Sequence, residues 1–427
     1  MTTIRKESSM GYTAGSSKDT GNLDSSRRTY NIPLWDKIEE LWSAKEVPFL
    51  VFTTKLSKVP TQDPKPTKLV HKSGWADRRF FSGAAASWSS QANGATIDNM
   101  AVELTVGGGD NVGFLIAGLV VRIKTTGGDT IAIIDTVDSQ AQIDLTSISS
   151  TPYSIADGDE IQVIGTAFAR GADKASATYD TTTSEYSYTT ILKTVVDVTG
   201  TLRATGTFGM NEYQRLMEDK RAEHLTDRER NLLFGERGST TVGSDTIYTG
   251  YGMVSYIEAN SSNSNIFTPA YNSYSFDDFV DDMEDWYTKG GNQASTEKLM
   301  LCGRSPISFF SKIGDGKLWG DVTVNVQSGS NEWGINVTTV KHPHGTNHLV
   351  HEPLFRGNST NAFYKDYMLG VDMKNVMLCP LESDGYSRDM HLVKNLQTTY
   401  DKIIHQYLTE EALLPFLSET HALFKFA

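Results

Sequence analysis

Several things are scarce in this chain of 427 residues, and each absence excludes something. Cysteine is nearly missing: Cys302 and Cys379 are the only two. Two cysteines do not make a disulfide framework, and buried free thiols are the expected state of both. Long apolar runs are missing too. The longest, residues 112–121, is about half of what a membrane-spanning helix requires. The opening MTTIRKESSMGYTAGSSKD has no hydrophobic core of the kind a secretory signal carries. A soluble protein made in the cytoplasm is expected, with no membrane partner. Positive charge is outnumbered, 39 Lys and Arg against 52 Asp and Glu, for a net charge of -13. That argues against a sequence-independent nucleic-acid binder, which needs a basic surface. No G-x-S-x-G, P-loop, paired C-x2-C or dinucleotide fingerprint occurs. The hydrophobic share of 38% is slightly lean, which with 10% aromatics suits an extended subunit whose surface is completed by neighbours.

What the chain does have is one dense charged helical pattern at residues 208–235, FGMNEYQRLMEDKRAEHLTDRERNLLFG. Asn211 can cap its start, Glu212 favours the positive end of the helix dipole, and Gly235 is a natural stop. Tyr213, Leu216, Met217, Leu225, Leu232 and Leu233 recur close to helical spacing, interrupted by Lys220 and His224. A single rod from Asn211 to Leu233 would be about 35 Å long. Thr226 with Glu229 forms a possible capping box, which would break the rod near Leu225. Arg215, Arg221, Arg228 and Arg230 interleave with Glu218, Asp219, Glu223 and Glu229, so both signs are expected to face outward. Taken alone, this pattern reads as a solvated surface helix.

The remaining segments fall in order around it. Residues 1–30 are rich in Ser, Thr and Gly and lack periodicity, the composition of a disordered tail. Pro33 opens an amphipathic helix over 34–42, and residues 48–59 read as a strand running into a bend at Pro60, Pro64 and Pro66. Residues 83–98, small and polar, read as a flexible connection. Over 99–170, alternating segments at 101–106, 118–124, 130–137 and 161–164 are punctuated by Gly-Asp turns and predict a small β-barrel or sandwich. The Gly-Asp turns fit no calcium-loop spacing, so turn chemistry explains them better than metal. After a polar linker, YSYTTILKTVVDVTGT (186–201) is strand-like and leads to the charged helix. Residues 274–287 carry a helical stripe of Phe276, Phe279, Val280, Met283 and Trp286, with Asp277, Asp278, Asp281, Asp282 and Asp285 on the opposite side. The acidic row is the usual solvated face. Strands are expected at 298–302, 334–340, 348–351, 362–370 and 376–378, and a short helix at 306–313.

The strand-turn-helix ending in LLFGERG, together with IADGDEIQVIGTAFARGAD (155–173), resembles the major capsid proteins of tailed bacteriophages. The closer resemblance is to a subfamily with a small inserted β domain. KSGWADRRFF (72–81) resembles the extended loop of the same proteins, and Glu410–Leu417 with the closing ETHALFKFA resembles their last strand, which returns to the peripheral domain beside the long helix. The resemblance implies an α+β chain with the Hong Kong 97-type fold. It implies an N-terminal arm (1–32), a helix and extended loop (33–98), an inserted β domain (99–173), a peripheral domain with a spine helix (174–258), an axial domain (259–395) and a C-terminal return (396–427). It implies self-assembly into hexamers and pentamers of an icosahedral head that encloses double-stranded DNA without binding it specifically. The negative charge suits such a wall. Other copies of itself, neighbouring capsomers, a portal, and decoration or scaffolding proteins are the implied partners. The implied location is the virion, after synthesis in the host cytoplasm. The lysine–asparagine crosslink of the fold's namesake maps onto no residue here, so noncovalent assembly is expected.

The strongest enzymatic candidate is the cluster His342, His344, His348 and His351, with Glu352 adjacent, in KHPHGTNHLVHEP. Histidine clusters bind zinc where the geometry closes, but this spacing matches no zinc pattern. On a strand, His348 and His351 would point to opposite faces. No catalytic, cofactor-binding or metal residue is therefore assigned, no cofactor is expected, and the chain is read as a non-enzyme. Two alternatives stay open: a metal-dependent hydrolase using that cluster, with a β-sandwich appendage, and a tail or decoration protein.

Overall fold

The computed structural model describes residues 47–71, 78–108, 112–172, 176–177, 182–204, 212–260, 265–270, 273–291, 294–316, 327–332, 335–355, 364–396 and 401–426. The expected arm at 1–32, the helix at 34–42, the Trp-x-Asp of 75–77 and the Asn211 cap lie outside the described residues.

Helix α1 (Pro48–Leu56) and strand β1 (Thr67–Val70) come first. They are followed by β2 (Arg79–Ser82), β3 (Thr96–Glu103), β4 (Leu119–Thr125), β5 (Gly128–Ser139), β6 (Gln142–Ser147) and β7 (Glu160–Thr166). Strands β8 (Thr183–Tyr186) and β9 (Thr190–Thr199) lead through α2 (Gly200–Ala204) to the long α3 (Glu212–Phe234). A hairpin of β10 (Gly238–Val242) and β11 (Asp245–Thr249) precedes α4 (Met253–Ala259), β12 (Asn265–Phe267), α5 (Phe276–Gly290), β13 (Glu297–Cys302) and α6 (Arg304–Gly316). The rest is strand: β14 (Gln327–Glu332), β15 (Ile335–His342), β16 (Gly345–His351), β17 (Tyr367–Val371), β18 (Val376–Pro380), β19 (Glu382–Ser383), β20 (Tyr386–Ser387), β21 (His391–Val393), β22 (Lys402–Pro415) and β23 (Ala422–Lys425). The chain is thus mixed α+β, as the Hong Kong 97-type resemblance implies. It divides into two compact units, Met1–Lys68 with Ser184–Ala427, and Leu69–Thr183.

The larger unit is built on a seven-stranded sheet in the order β12-β23-β17-β13-β16-β15-β14. Its central strand β13 is buried on both faces, which is why LMLC reads as one continuous apolar run. Leu299 and Leu301 point to a layer formed by α1, α4 and the end of α3, where they meet Phe49, Leu233 and Ile257. Met300 and Cys302 point the other way, to α5 and α6, where they meet Phe279, Trp286 and Phe309. The alternation of a strand thereby feeds two cores from one segment. Ser275 and Asp278 close a capping box on α5, and Trp286 then lies against β17 so closely that a Cβ on Gly370 would sit 2.3 Å from its ring. A second sheet is organised by β22, which pairs with β9, β18 and β21, and α3 packs along it. Where α3 ends, the chain crosses itself: Gly252 donates to the Gly235 carbonyl at 2.6 Å, and a Cβ on Gly252 would lie 2.4 Å from the Gly235 nitrogen.

The smaller unit is a closed barrel, β2-β3-β6-β5-β4-β7. It holds its own core, with Phe80, Val121, Ile123, Ile134, Ile143, Leu145 and Ile161 at 0% exposure. The barrel begins earlier than residue 99. Its first strand is β2, and the small polar stretch 83–98 belongs to it. Trp88 is buried there, and its indole N–H donates to the Tyr153 carbonyl at 2.7 Å. Strand β6 was hidden in the sequence because QIDLTS carries only two large apolar residues.

Three further expectations are corrected. Residues 48–56 form a helix rather than a strand: Pro48 stands in its first turn, and the first free amide, Phe49 N–H, donates 2.9 Å to the Glu229 carboxylate. A cap supplied by another element overrode the β-branched composition of PFLVFTTKL. The long helix does not break near Leu225, because the Thr226 hydroxyl bonds back to the Ala222 carbonyl at 3.0 Å instead of capping a new start. Of the returning C-terminal segment, residues 410–415 do lie in β22, in the sheet beside α3, whereas the closing strand β23 pairs with β12 and β17 in the seven-stranded sheet.

The two ends of the barrel unit lie together, with the Thr183 hydroxyl 3.4 Å from the Val70 carbonyl. Replacing 69–183 by a short Gly/Ser linker should therefore leave the larger unit folded, with one cooperative thermal transition seen by circular dichroism. A deletion chain with no cooperative transition would show that the units do not fold independently.

Candidate functional site

The inner face of α3 is polar, and this is the least ordinary feature of the larger unit. Met217, His224, Arg228 and Leu232 fall on one stripe at helical spacing, and the stripe faces β9 and β22. His224 is fully buried with a threonine at each ring nitrogen, Thr194 from β9 at 2.9 Å and Thr409 from β22 at 2.7 Å. A neutral imidazole, with one donor and one acceptor, satisfies that arrangement. Burial, reinforced by Arg228, lowers its pKa to about 4, so the ring stays neutral near pH 7. One turn further on, Arg228 reaches Glu411 of β22 through two bonds, 2.9 Å and 2.5 Å, and Asp389 through a third at 2.9 Å. Burial alone would lower the guanidinium pKa, but Glu411 and then Asp389 outweigh it and the pKa is raised. Lys58 closes the network on Asp389 at 2.5 Å. Nearer the helix start, the His405 Nδ1 accepts from the Asn395 amide at 3.0 Å, so its Nε2 carries the proton toward the Tyr213 hydroxyl at 2.7 Å.

Glu229 points elsewhere. It caps α1 and lies beside Glu352, at the end of β16, with both side chains at 0% exposure. Burial, then repulsion from Glu352, raises its pKa well above the usual carboxylate range. Both effects favour the protonated, neutral form of Glu229 at the point where α1, α3 and the end of β16 come together. Arg228 and Glu229 are therefore buried, contrary to the expectation that both face outward. Gln214, Glu218, Arg221 and Arg230 are the exposed residues of the helix.

The histidine cluster does not converge. His342, at the end of β15, is packed edge-on against Phe279 and Tyr287, and burial lowers its pKa to about 4. His344 sits in the β15–β16 turn, and His348 is 3.3 Å from the Thr339 hydroxyl across the sheet. His351 lines a shallow depression with Arg304, Ile307 and Ser308. Glu352 belongs to the pair with Glu229. Among the described residues no group of three or more His, Cys, Asp or Glu side chains is placed to hold a metal ion. In the acidic row of α5, Asp278 serves the cap and Asp282 accepts from the Tyr274 hydroxyl at 2.6 Å. Both cysteines are buried thiols, and burial raises the pKa of each.

Sequence reasoning missed a second buried polar cluster. Lys298 is 1% exposed, with its ammonium 4.1 Å from the Trp286 ring centre and 4.2 Å from that of Tyr287. Burial lowers its pKa to about 8, against the pull of Asp372. Asp372 accepts from the Ser295 and Lys374 amides at 2.7 Å and 3.0 Å, and its own amide donates to His421 at 3.2 Å. This cluster fixes the turn before β23, since Trp286 also donates to the Thr420 carbonyl at 3.0 Å. The available signal was a lysine opening an otherwise apolar strand. None of these groups is arranged as nucleophile, base and open substrate position, and their chemistry is that of held elements.

The family model described as SU10 major capsid protein matches residues 25–424. A major capsid protein of Pseudomonas phage PaMx41 is 25% identical over 234 residues, and the match spans about half of each sequence, 53% of this chain and 53% of that relative. Among solved structures, one described as Microbacterium phage Oxtober96 is similar with a TM-score of 0.42 at 9% identity, covering 93% of this chain and 96% of that one. The capsid of an empty GTA particle has a TM-score of 0.40 at 10% identity, covering 62% and 81%. The holo-SrpI encapsulin complex from Synechococcus elongatus PCC 7942 has a TM-score of 0.39 at 9% identity, covering 57% and 75%.

The buried network separates two arginines that look alike in the sequence. Arg228→Ala should cost about 3–5 kcal/mol, because Glu411 is left buried without its cation while Asp389 keeps only Lys58. Arg230→Ala, whose partner Asp227 also reaches solvent, should stay within about 0.5 kcal/mol. Urea unfolding of the full chain measures both, and equal effects would contradict the assignment.

Proposed function

The chain belongs to the SU10 major capsid protein family, and from that premise we propose that its copies close as pentamers and hexamers into an icosahedral phage head around double-stranded DNA. It is a phage major capsid protein, and its place is the virion capsid. Its role is architectural rather than catalytic. The observation that carries this reading is the family match over nearly the whole chain, 25–424. The structure of α3 supports it: a buried polar face holds the rod, leaving Glu218, Arg221 and Arg230 to neighbours. Exposed charges contribute little to a subunit's own stability, but across a repeated interface they set register and partner choice. In this reading the β22 sheet with α3 is the peripheral domain, and the seven-stranded sheet is the axial domain that meets symmetry axes. Residues 1–32 act as an arm across a neighbouring copy. Synthesis in the host cytoplasm, a portal and decoration or scaffolding proteins complete the scheme. The net charge of -13 suits a wall that holds DNA without gripping its phosphates.

Electron microscopy of the purified full-length protein is the direct test. Closed shells, or free rings with fivefold and sixfold symmetry, are expected. A monodisperse monomer at high concentration, in low and high salt alike, would overturn the reading.

A further inference from the structure

Among the described residues, no residue of the hairpin β10–β11 joins a core of its own chain. Among the described residues it is a sheet of two strands only, and every residue from Ser239 to Thr249 is exposed. An isolated two-stranded hairpin is marginally stable in water. Yet its sequence is rich in strand formers, with Thr240, Thr241, Val242, Thr246 and Ile247, and Gly243 at φ 67° makes its tight connection. Its two faces differ. Ser239, Thr241, Thr246 and Tyr248 share one, and Tyr248 rests against Tyr188 with ring centres 5.2 Å apart. The other face carries Thr240, Val242, Asp245 and Ile247, with Val242 60% and Ile247 48% exposed.

A surface of matching pattern lies on β9. Thr194, Val196 and Val198 of that strand face α3, so Ile191, Lys193 and Val195 face away from it. Ile191 is 48% and Val195 47% exposed. Among the described residues, no carboxylate pairs with Lys193, and Asp245 meets only the Ser244 hydroxyl, at 3.4 Å. Both strands repeat their side chains every second residue, about 6.6–6.8 Å apart, so an apolar-cation-apolar row on one can register with an apolar-anion row on the other. Within one chain β11 and β9 are neighbours at the hairpin's base. The hairpin's base is tied to the start of β9 by the Gly250 amide donating 2.8 Å to Thr190, and its tip is five paired positions away.

We propose that the β10–β11 hairpin is an assembly hook, seating Val242, Asp245 and Ile247 on Ile191, Lys193 and Val195 of a second copy of this chain, with Asp245 paired to Lys193. The inference rests on the reading of the chain as a self-assembling subunit. The charge pair fixes register, and Ile247, next to Asp245 along β11, and Val242, opposite it on β10, exclude water from it.

The test exchanges the charges in the full-length chain. Lys193→Asp and Asp245→Lys should each lower the yield of sedimenting particles by about tenfold, and the double exchange should restore it to within about threefold of wild type. Thermal melting of each variant checks folding. As a charge-neutral second route, Val242→Ser with Ile247→Ser should lower particle yield without shifting the melting temperature of the subunit. Particles from both single variants at wild-type yield would overturn the hook, as would two failing singles that the exchange does not rescue. Loss with Asp245→Lys alone would place the hairpin against another surface or another protein, and so would also overturn it. Wild-type chain that forms no particles would remove the capsid reading and the hook together, whereas wild-type particles with unaffected variants would remove the hook alone.

Discussion

The pairing of Arg228 with Glu411 and Asp389 is the interaction on which the larger unit depends. It is buried, so each charge needs its partner to exist in that place at all. It connects α3 to the central strand of the second sheet and, through Lys58, to the segment that follows α1. Such a network is a weak source of net stability, since apolar side chains of similar volume would hold the helix as well. What it supplies is position. A guanidinium with two carboxylates satisfies its donors in one geometry only, whereas leucines tolerate sliding. His224 between Thr194 and Thr409, and Glu229 at the head of α1, add the same kind of constraint along the same rod. For a subunit that must present an identical helix in every copy of a shell, fixed register matters more than surplus stability.

How much of this was legible depended on where the information resided. Elements that bury an apolar stripe were readable: β13 as a continuous apolar run, α5 from its aromatic spacing, and α3 from its length and its Gly235 stop. The barrel announced itself by Gly-Asp turns, but β2 and β6 were too short and too polar to stand out, and Trp88 in a stretch of small residues was read as linker. The helix α1 was unreadable because its cap comes from Glu229, distant in sequence. The inner face of α3 was misread for a related reason. Charge in a helix ordinarily means solvent, and only the spacing of Met217, His224, Arg228 and Leu232, together with a pair of adjacent glutamates inside the apolar run of β22, marked it otherwise. The histidine cluster was conspicuous in sequence and dispersed in space, since turn and strand geometry send its members to different surroundings.

The two units solve the problem of stability differently. The barrel closes on itself and leaves no sheet edge. Among its described residues the larger unit leaves the long edge strand β9 and the β10–β11 hairpin at its surface, features that a monomeric protein usually covers or blunts.

Whether α3 is truly held by its polar inner face is decided by native-state hydrogen exchange on the unassembled subunit, followed amide by amide along α3, β9 and β22. If the buried network fixes the helix, amides from His224 to Leu233 open together with those of β22, at a common free energy. If α3 is a solvated rod that only rests on the sheet, its amides exchange through local fraying far faster than those of β22. That result would contradict the account.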